Sequence, residues 1–507
     1  MDTHKVRICV PVCERDIHAL ERASEQAAAM GDIVELRLDC LSESAVTKIS
    51  RLAGLCPRLN RPLILTFRPS EQGGHRDADL SVRRLFWETA RKFFKEELLD
   101  IELDLARDAV TSIPKPDWGR TICSHHDFTG VPADLDHIYE SMARTPARWL
   151  KIAVTARDAV DCIPLFQLLE RANNEGREMI AIAMGTAGIA TRILGPSRGN
   201  YLTYGARDRD CSTAPGQLTA GELRELYRID HITRKTQLMG LVGLPVAHSI
   251  SPEIHNSAFA AANVDAVYIP FEVRDLIAFI RRMAHPRTRE LDWNLRGLSV
   301  TAPHKSAVMD LLDWIDPAAK EIGAVNTIVI DLDGLCGYNT DAVAVLKPVV
   351  EKLGPLRDAR CALIGAGGAA KAVLWSLRKE GANVTVFARN PEKASLLAEK
   401  FGAKCKTLNA SHFNDFDIVI NATPLGTHGT FGADTPASAA QLRGARLAYD
   451  LVYNPIETLF LRQASEAGCD TIGGLSMLVL QGAEQFKLWT GIEAPVAVMR
   501  EAAERAL

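Results

Sequence analysis

Residues 214–252 read APGQLTAGELRELYRIDHITRKTQLMGLVGLPVAHSISP, and the chain changes character across them. On the N-terminal side, a run of short β-type segments closes with Ala214-Pro215-Gly216-Gln217. One short, charged, helix-like piece follows. On the C-terminal side, Leu238-Met239-Gly240-Leu241-Val242-Gly243 opens an apolar strand and a different pattern. A stretch that ends one pattern and begins another marks a join between folding units. The length agrees, because 507 residues exceed one core when domains run to roughly 100–200 residues.

Composition sets outer bounds. An apolar content of 47% and a charged content of 24% are ordinary for globular protein. The net charge of −4 gives no basic field for nucleic acid or a membrane surface. No apolar run approaches the roughly 18 residues of a membrane span. MDTHKVRICVPV enters a strand at once, without a leader-like pattern, so a cytoplasmic protein is expected. The 11 cysteines are scattered, and no C-x-x-C pair suggests a metal. Free thiols in a reducing compartment and no metal cofactor are therefore expected.

Upstream of the join, strand-like segments alternate with amphipathic stretches. They are Val6–Val12, Ile33–Asp39, Pro62–Arg68, Leu98–Asp104, Thr121–Asp127, Trp149–Thr155, Met179–Gly185 and Asn200–Ala206. Strand–helix alternation implies βαβ units and a parallel sheet. Eight units predict a (β/α)8 TIM barrel, with an open doubly wound sheet as the alternative. Polar residues gather near the strand ends: Glu35, Arg37 and Asp39 on the second, Arg68 on the third, Glu102 on the fourth. Ser124-His125-His126-Asp127 ends the fifth, and Lys151 sits inside the apolar sixth. In a barrel these ends converge on one face. Burial favours the neutral form of an amine, which can attack a ketone to give a Schiff base. A nearby histidine could move a proton on the adjacent carbon, and several arginines imply an anionic substrate.

This half resembles type I 3-dehydroquinate dehydratase over nearly its whole length. The matches are Glu35-Leu36-Arg37-Leu38-Asp39, Thr66-Phe67-Arg68, Asp100-Ile101-Glu102-Leu103-Asp104, Ser124-His125-His126-Asp127, Lys151-Ile152-Ala153, Thr191-Arg192 and Ala214-Pro215-Gly216-Gln217, in order. The resemblance implies that Lys151 forms the imine, that His126 shuttles the proton and that Glu102 orients His126. Glu35, Arg37, Arg68, Arg192, Thr213 and Gln217 would bind substrate, with Arg192 on its carboxylate. Thr213 stands where the family often has serine, and the hydroxyl is kept. Glu71-Gln72-Gly73-Gly74 resembles the family's loop at the mouth of the site.

Downstream of the join, Ser249-Ile250-Ser251-Pro252 precedes a helical stretch. Short strand-to-loop transitions follow, tipped with Thr301, Lys305, Asn326 and Asp341. Hydroxyl, amide and charged groups at strand ends suit a small polyol. Then Cys361-Ala362-Leu363-Ile364 runs into Gly365-Ala366-Gly367-Gly368-Ala369-Ala370 and an alanine-rich helix. This is a Rossmann turn with alanine in place of the third glycine, built to let backbone approach a pyrophosphate. The second strand ends in Ala388-Arg389-Asn390, with Lys393 one turn on. An NAD site would place a carboxylate there, so the basic pair points to NADP. Asn421-Ala422-Thr423 ends a further strand at the same crevice.

This half is similar to shikimate dehydrogenase. It carries Ser249-x-Ser251-Pro252, Val300-Thr301-x-Pro303-x-Lys305, Gly323-Ala324-Val325-Asn326-Thr327, Asn339-Thr340-Asp341, Asp450-Leu451-Val452-Tyr453 and Gly474-Leu475-x-Met477 with Gln481. The resemblance implies that Lys305 and Asp341 are the catalytic pair. Ser249, Ser251 and Tyr453 would hold the substrate carboxylate, and Thr301, Asn326, Asp341 and Gln481 its hydroxyls. Asn421, Thr423 and Gly474 would join the glycine turn, Arg389, Asn390 and Lys393 around the cofactor. Ser299 stands where asparagine is usual.

The expected architecture is thus a barrel at 1–228, a linker at 229–236, and a two-lobed α/β dehydrogenase. Its substrate lobe is 237–342, with a C-terminal helix in 475–507 packing back, and its Rossmann NADP domain is 343–474. Such a chain would convert 3-dehydroquinate to 3-dehydroshikimate and reduce that to shikimate with NADPH, on the route to chorismate and aromatic amino acids. The partners expected are these small molecules alone. A dehydrogenase preferring quinate and a catalytically silent sensor are the rivals. Retention of Lys151, His126, Lys305 and Asp341 speaks against the sensor.

Overall fold

A computed structural model describes residues 6–111, 115–408, 412–429 and 431–507. The chain divides into two compact units. The first is Met1–Thr236 with Ile269–Met283 and Thr288–Asn294; the second is Gln237–Tyr268, Ala284–Arg287 and Leu295–Leu507.

The first unit holds β1 (Ile8–Val12), β2 (Ile33–Arg37), β3 (Leu63–Thr66), β4 (Leu98–Glu102), β5 (Thr121–Asp127), β6 (Trp149–Thr155), β7 (Glu178–Met184) and β8 (Thr203–Tyr204). They lie in the order β7-β6-β5-β4-β3-β2-β1-β8. Apart from the step from β1 to β8, each neighbour is the next strand in sequence. The ring all but closes where Met179 bridges to Asn200 at the entry to β8. An open doubly wound sheet would reverse its order at a switch point, and this one does not. Cys9, Ile33, Ile64, Ile122, Ile180 and Leu202 share one buried cluster, so the barrel is a packed core rather than a pore. Between strands the helices start on their own signals. Asp16 caps Ile17–Met30 by accepting from the Ala19 N–H at 2.9 Å.

Several strands are shorter than their residue pattern, β8 most of all, and β3 stops two residues before Arg68. Pairing of β2 with β3 ends at Arg37 and Thr66, and the chain turns through Leu38–Cys40, which takes Asp39 off the strand. β4 ends at Glu102 and a helix begins at Leu103. Alternation of residue type does not mark where a neighbouring strand stops.

The cysteines depart from expectation. Nine are free, but Cys13 and Cys40 form a disulfide. Parallel pairing of β1 with β2 brings Val12 beside Leu36, and the turn after β2 folds Cys40 back toward Cys13. Their sequence separation of 27 concealed that proximity.

Two further sheets follow in the chain. One is mixed: β9 (Gln237–Gly243), β10 (Ala266–Glu272), β11 (Leu295–Val300), β12 (Trp314–Ile315), β13 (Thr327–Ile330) and β14 (Leu335–Tyr338), in the order β10-β9-β11-β13-β14-β12. The other comprises β15 (Arg360–Ile364), β16 (Asn383–Ala388), β17 (Lys404–Thr407), β18 (Ile418–Asn421), β19 (Leu447–Asp450) and β20 (Asp470–Ile472). All its pairs are parallel, and its order β17-β16-β15-β18-β19-β20 is the 3-2-1-4-5-6 arrangement of a dinucleotide fold. The switch point lies between β15 and β18. The C-terminal helices Gly474–Thr490 and Val496–Ala506 return to the first of these sheets. Phe486, Met499 and Ala503 share a core with Met239, Ile254 and Phe259. No helix among the described residues is long and apolar enough to cross a membrane.

Candidate active sites

The C-terminal ends of the barrel strands surround a cavity of about 60 Å3. Glu35, Arg37, Arg68, His126, Lys151, Arg192, Thr213 and Gln217 all line it. The Lys151 ammonium is not solitary, as its apolar strand implied. It donates to Asp100 Oδ2 at 2.9 Å, lies 3.6 Å from Glu35 Oε1, and sits 4.5 Å above the Tyr204 ring. Asp100 also accepts from Arg68 at 2.8 Å and from Ser124 Oγ at 2.5 Å. Burial raises the Asp100 carboxyl, but Arg68 and Lys151 outweigh it and hold the group well below the usual carboxylate range.

Glu102 occupies a different place from the one the resemblance implied. Its oxygens accept from Arg68 at 3.3 Å and Arg83 at 3.1 Å, beneath the cavity. Burial, with Asp100 nearby, pushes its carboxyl up to about 7 against the pull of both arginines. The His126 Nδ1 is buried with no partner, while the Glu102 oxygens are taken by the two arginines. Gln72 Oε1 accepts from the His126 backbone N–H at 3.3 Å. Burial and the charges of Arg68 and Lys151 push the His126 imidazole well below its ordinary value, leaving it neutral near pH 7.

Arg192 is 1% exposed, and its Nε has no partner. Burial pushes it down to about 10. A buried guanidinium without a carboxylate suits an anionic ligand. Thr213 donates its N–H to Gln217 Oε1 at 2.9 Å, so these two residues brace each other. Asp100 and Tyr204 are the residues the site assignment missed. Asp100 stands two residues before Glu102 in the same strand, hence on the same face, and that spacing was the available signal. No residue pattern could aim the Tyr204 ring at the Lys151 ammonium.

The second unit has a roomier cleft of about 310 Å3. Ser249, Ser251, Thr301, Lys305, Asn326, Asp341, Tyr453 and Gln481 line it, with Ala369 and Gly474 from the dinucleotide side. Lys305 donates to Asp341 Oδ2 at 2.5 Å. Asn326 fixes the other carboxylate oxygen at 2.9 Å and also donates to Thr340. Ser249 donates to Ser251 Oγ at 3.1 Å at the start of the helix Ser251–Ala261. Burial, with Glu253 nearby, raises the Tyr453 phenol, so it stays a hydroxyl donor.

Gln485 was missed. It also lines the cleft, accepts from Ser299 at 2.8 Å, and donates to the Asn326 carbonyl and to Thr327. It lies one helical turn beyond Gln481, and that i, i+4 spacing could have revealed it. Gln485 supplies the amide that Ser299 lacks.

Around the switch point, Gly365 adopts φ of +124°, and a Cβ there would lie 2.8 Å from the Ala422 carbonyl. Gly367 faces open space, and no side chain caps the helix Gly368–Lys379 that follows. Gly365–Ala370 thus leaves an uncapped helix N-terminus over the crevice, which fits a pyrophosphate. Arg389 and Lys393 are exposed at the end of β16. Asn390 is spent as the helix cap, accepting from the Lys393 N–H at 3.1 Å. Asn421 is turned inward too. It donates to Asp450 and the Leu425 carbonyl and accepts from Thr423, so it shapes the loop under a cofactor.

Comparison with known proteins supports both halves. Residues 8–234 match the type I 3-dehydroquinase family, and residues 241–328 the shikimate dehydrogenase substrate-binding domain. Residues 348–435 match shikimate/quinate 5-dehydrogenase, and 474–504 the shikimate 5'-dehydrogenase C-terminal domain. A chloroplastic bifunctional 3-dehydroquinate dehydratase/shikimate dehydrogenase of Arabidopsis thaliana is 34% identical, over 96% of this chain and 82% of its own. An NADP(+) shikimate dehydrogenase of Oleidesulfovibrio alaskensis is 45% identical, over 52% of this chain and 93% of its own. A crystal structure of a shikimate dehydrogenase in complex with NADP+ superposes with a TM-score of 0.50 at 37% identity, covering 54% of this chain and 96% of that one.

Proposed function

The chain belongs to the family of bifunctional 3-dehydroquinate dehydratase/shikimate dehydrogenases, and from that premise we propose which of its residues carry each reaction. The protein is a lyase and an NADP-dependent oxidoreductase of the shikimate pathway, acting in consecutive steps.

In the first step, Lys151 Nζ attacks the substrate ketone and water leaves, giving an imine. Glu35, 3.6 Å away, takes the proton the amine must shed, while Asp100 keeps Nζ aimed into the cavity. Neutral His126 removes a proton from the carbon next to the imine and returns it to the departing hydroxyl. Hydrolysis then frees Lys151. Arg192, buried without an acidic partner, holds the substrate carboxylate, and Arg37, Arg68, Thr213 and Gln217 complete the pocket.

In the second step, NADPH supplies the hydride. Reduction of a ketone leaves an alkoxide that needs a proton, and Lys305 delivers it, with Asp341 holding the ammonium in place. Ser249, Ser251 and Tyr453 hold the carboxylate; Thr301, Asn326, Asp341 and Gln481 read the ring hydroxyls, with Gln485 bracing Ser299 and Asn326 behind them. Arg389 and Lys393 take the 2'-phosphate. The observation that carries the assignment is that each cavity centres on one lysine held by a carboxylate, Lys151 by Asp100 and Lys305 by Asp341. Borohydride reduction in the presence of 3-dehydroquinate tests the first half, since the adduct must map to Lys151. NADPH oxidation starting from 3-dehydroquinate alone tests the coupling, and its absence would remove it. Comparing quinate with shikimate as substrates in the reverse direction sets ring preference.

A further inference from the structure

The Cys13–Cys40 disulfide stands at the mouth of the barrel cavity, and neither proposed reaction uses it. Cys13 directly follows β1, and Cys40 closes the turn after β2. Both are half-buried, whereas His75 on the neighbouring loop is exposed, with its Nε2 3.7 Å from Cys13 Sγ. Next to Cys40, Asp39 is 1% exposed and takes three hydrogen bonds. Two come from Arg37, at 3.0 Å and 2.8 Å, and one from the His75 backbone N–H at 3.1 Å. Arg37 lines the cavity and also reaches the Gly73 carbonyl at 3.4 Å. Arg76 donates to the Leu41 carbonyl, one residue beyond Cys40. The disulfide therefore fastens, to the end of β1, the turn that orients Arg37 and ties down the Gly73–Arg76 loop.

We propose that Cys13 and Cys40 are a reversible thiol–disulfide site that sets how firmly Arg37 and the Gly73–Arg76 loop are held at the mouth of the dehydratase cavity. The proposal rests on the reading of that cavity as the 3-dehydroquinate site. The oxidant is a low-molecular-weight disulfide. The Cys13 thiolate attacks it and expels one small thiol, and the Cys40 thiolate then displaces the second. Two protein thiols become one disulfide, and one small disulfide becomes two thiols. The His75 ring stands beside the attacking sulfur, its Nε2 3.7 Å from Cys13 Sγ. With the bond open, Asp39 keeps its hydrogen bonds but the turn loses its covalent anchor. Substrate binding then weakens more than turnover, because Arg37 binds rather than transfers protons.

The test uses the full chain, equilibrated with oxidised glutathione or with dithiothreitol. Peptide mapping without reduction is expected to show a Cys13–Cys40 linked peptide only after oxidation. Reduction is expected to raise KM for 3-dehydroquinate about three- to tenfold, with kcat within about twofold. NADPH oxidation with 3-dehydroshikimate should not change. Cys40→Ser and Cys13→Ser should each show the reduced-state KM and ignore the oxidant, with thermal melts confirming that both fold. Absence of the linked peptide after oxidation overturns the proposal. So does equal KM in the two states, or a redox response surviving in Cys40→Ser. Absence of dehydratase turnover in both states, with the linked peptide present, overturns the underlying reading of the cavity and this proposal with it.

Discussion

The two sites solve opposite problems with the same side-chain chemistry. The barrel site is dense with buried charge. Lys151 and Arg68 are paired with Asp100, Glu35 and Glu102 at and behind a cavity of about 60 Å3. The cleft of the second unit spends one ion pair, Lys305–Asp341, among neutral hydroxyls and amides around about 310 Å3. A lyase that forms a covalent intermediate on one lysine gains from charges that cannot reorient, and a closed barrel holds them at no cost during reaction. A dehydrogenase must admit a polyol and a dinucleotide together, so it uses an open crevice and neutral groups that tolerate water. Buried ion pairs carry a further consequence. Removing one partner leaves an uncompensated charge, which costs about 3–5 kcal/mol, whereas an exposed pair costs about 1 kcal/mol or less.

The comparison breaks first, if it breaks, at Lys151. Lys151→Met is expected to lower dehydratase kcat on the order of 10^4-fold or more, with reduction of 3-dehydroshikimate untouched. A residual rate within tenfold of wild type would remove the imine. Next, Lys305→Met should cost the dehydrogenase about 10^2- to 10^4-fold and leave the dehydratase unchanged, as steady-state assays on each substrate would show. Smaller again, Arg389→Ala should raise KM for NADPH about tenfold, the loss of one charge-assisted hydrogen bond, with KM for NADH little changed. Equal effects on the two cofactors would refute the 2'-phosphate contact.

Two pH measurements sharpen the contrast rather than break it. His126 is pushed well below its ordinary value, so dehydratase kcat/KM should stay level as pH falls through 6.5, where an ordinary histidine would protonate. An inflection near 6.5 would show His126 more solvated than the barrel allows. Glu102 is raised to about 7 in the folded barrel, above its usual carboxylate range. A raised carboxyl gives stability that is complete at low pH and lost as pH rises toward 7. Glu102→Gln should therefore gain melting temperature relative to wild type between pH 5 and pH 8. A difference that does not vary with pH would contradict the shift.

Much of this was legible in the residue order. Strand–helix alternation announced the barrel, and Gly365–Ala370 with Arg389 announced an NADP crevice. Lys151 stood out as a charged residue inside an apolar strand, whereas the roles of His126, Lys305 and Asp341 came from the resemblance of their motifs. Glu102 was misplaced because two carboxylates, Asp100 and Glu102, share one strand face. Only the fold decides that Asp100 meets Lys151 while Glu102, expected beside His126, meets Arg68 and Arg83. Asn421 and Asn390 were expected beside the cofactor because amides end those strands, and each also holds its own loop, Asn390 as a helix cap and Asn421 through Asp450 and Thr423.

Residue order alone carried the join near residue 236, the two fold classes and the preference for NADP. These follow from local periodicity and from residue types that chemistry cannot exchange. The tertiary structure alone decided the partnerships: Asp100 with Lys151, Gln485 with Ser299, Cys13 with Cys40. Each joins groups whose separation along the chain says nothing of their distance in space. Barrel closure and sheet register create those contacts, and no short-range pattern encodes either.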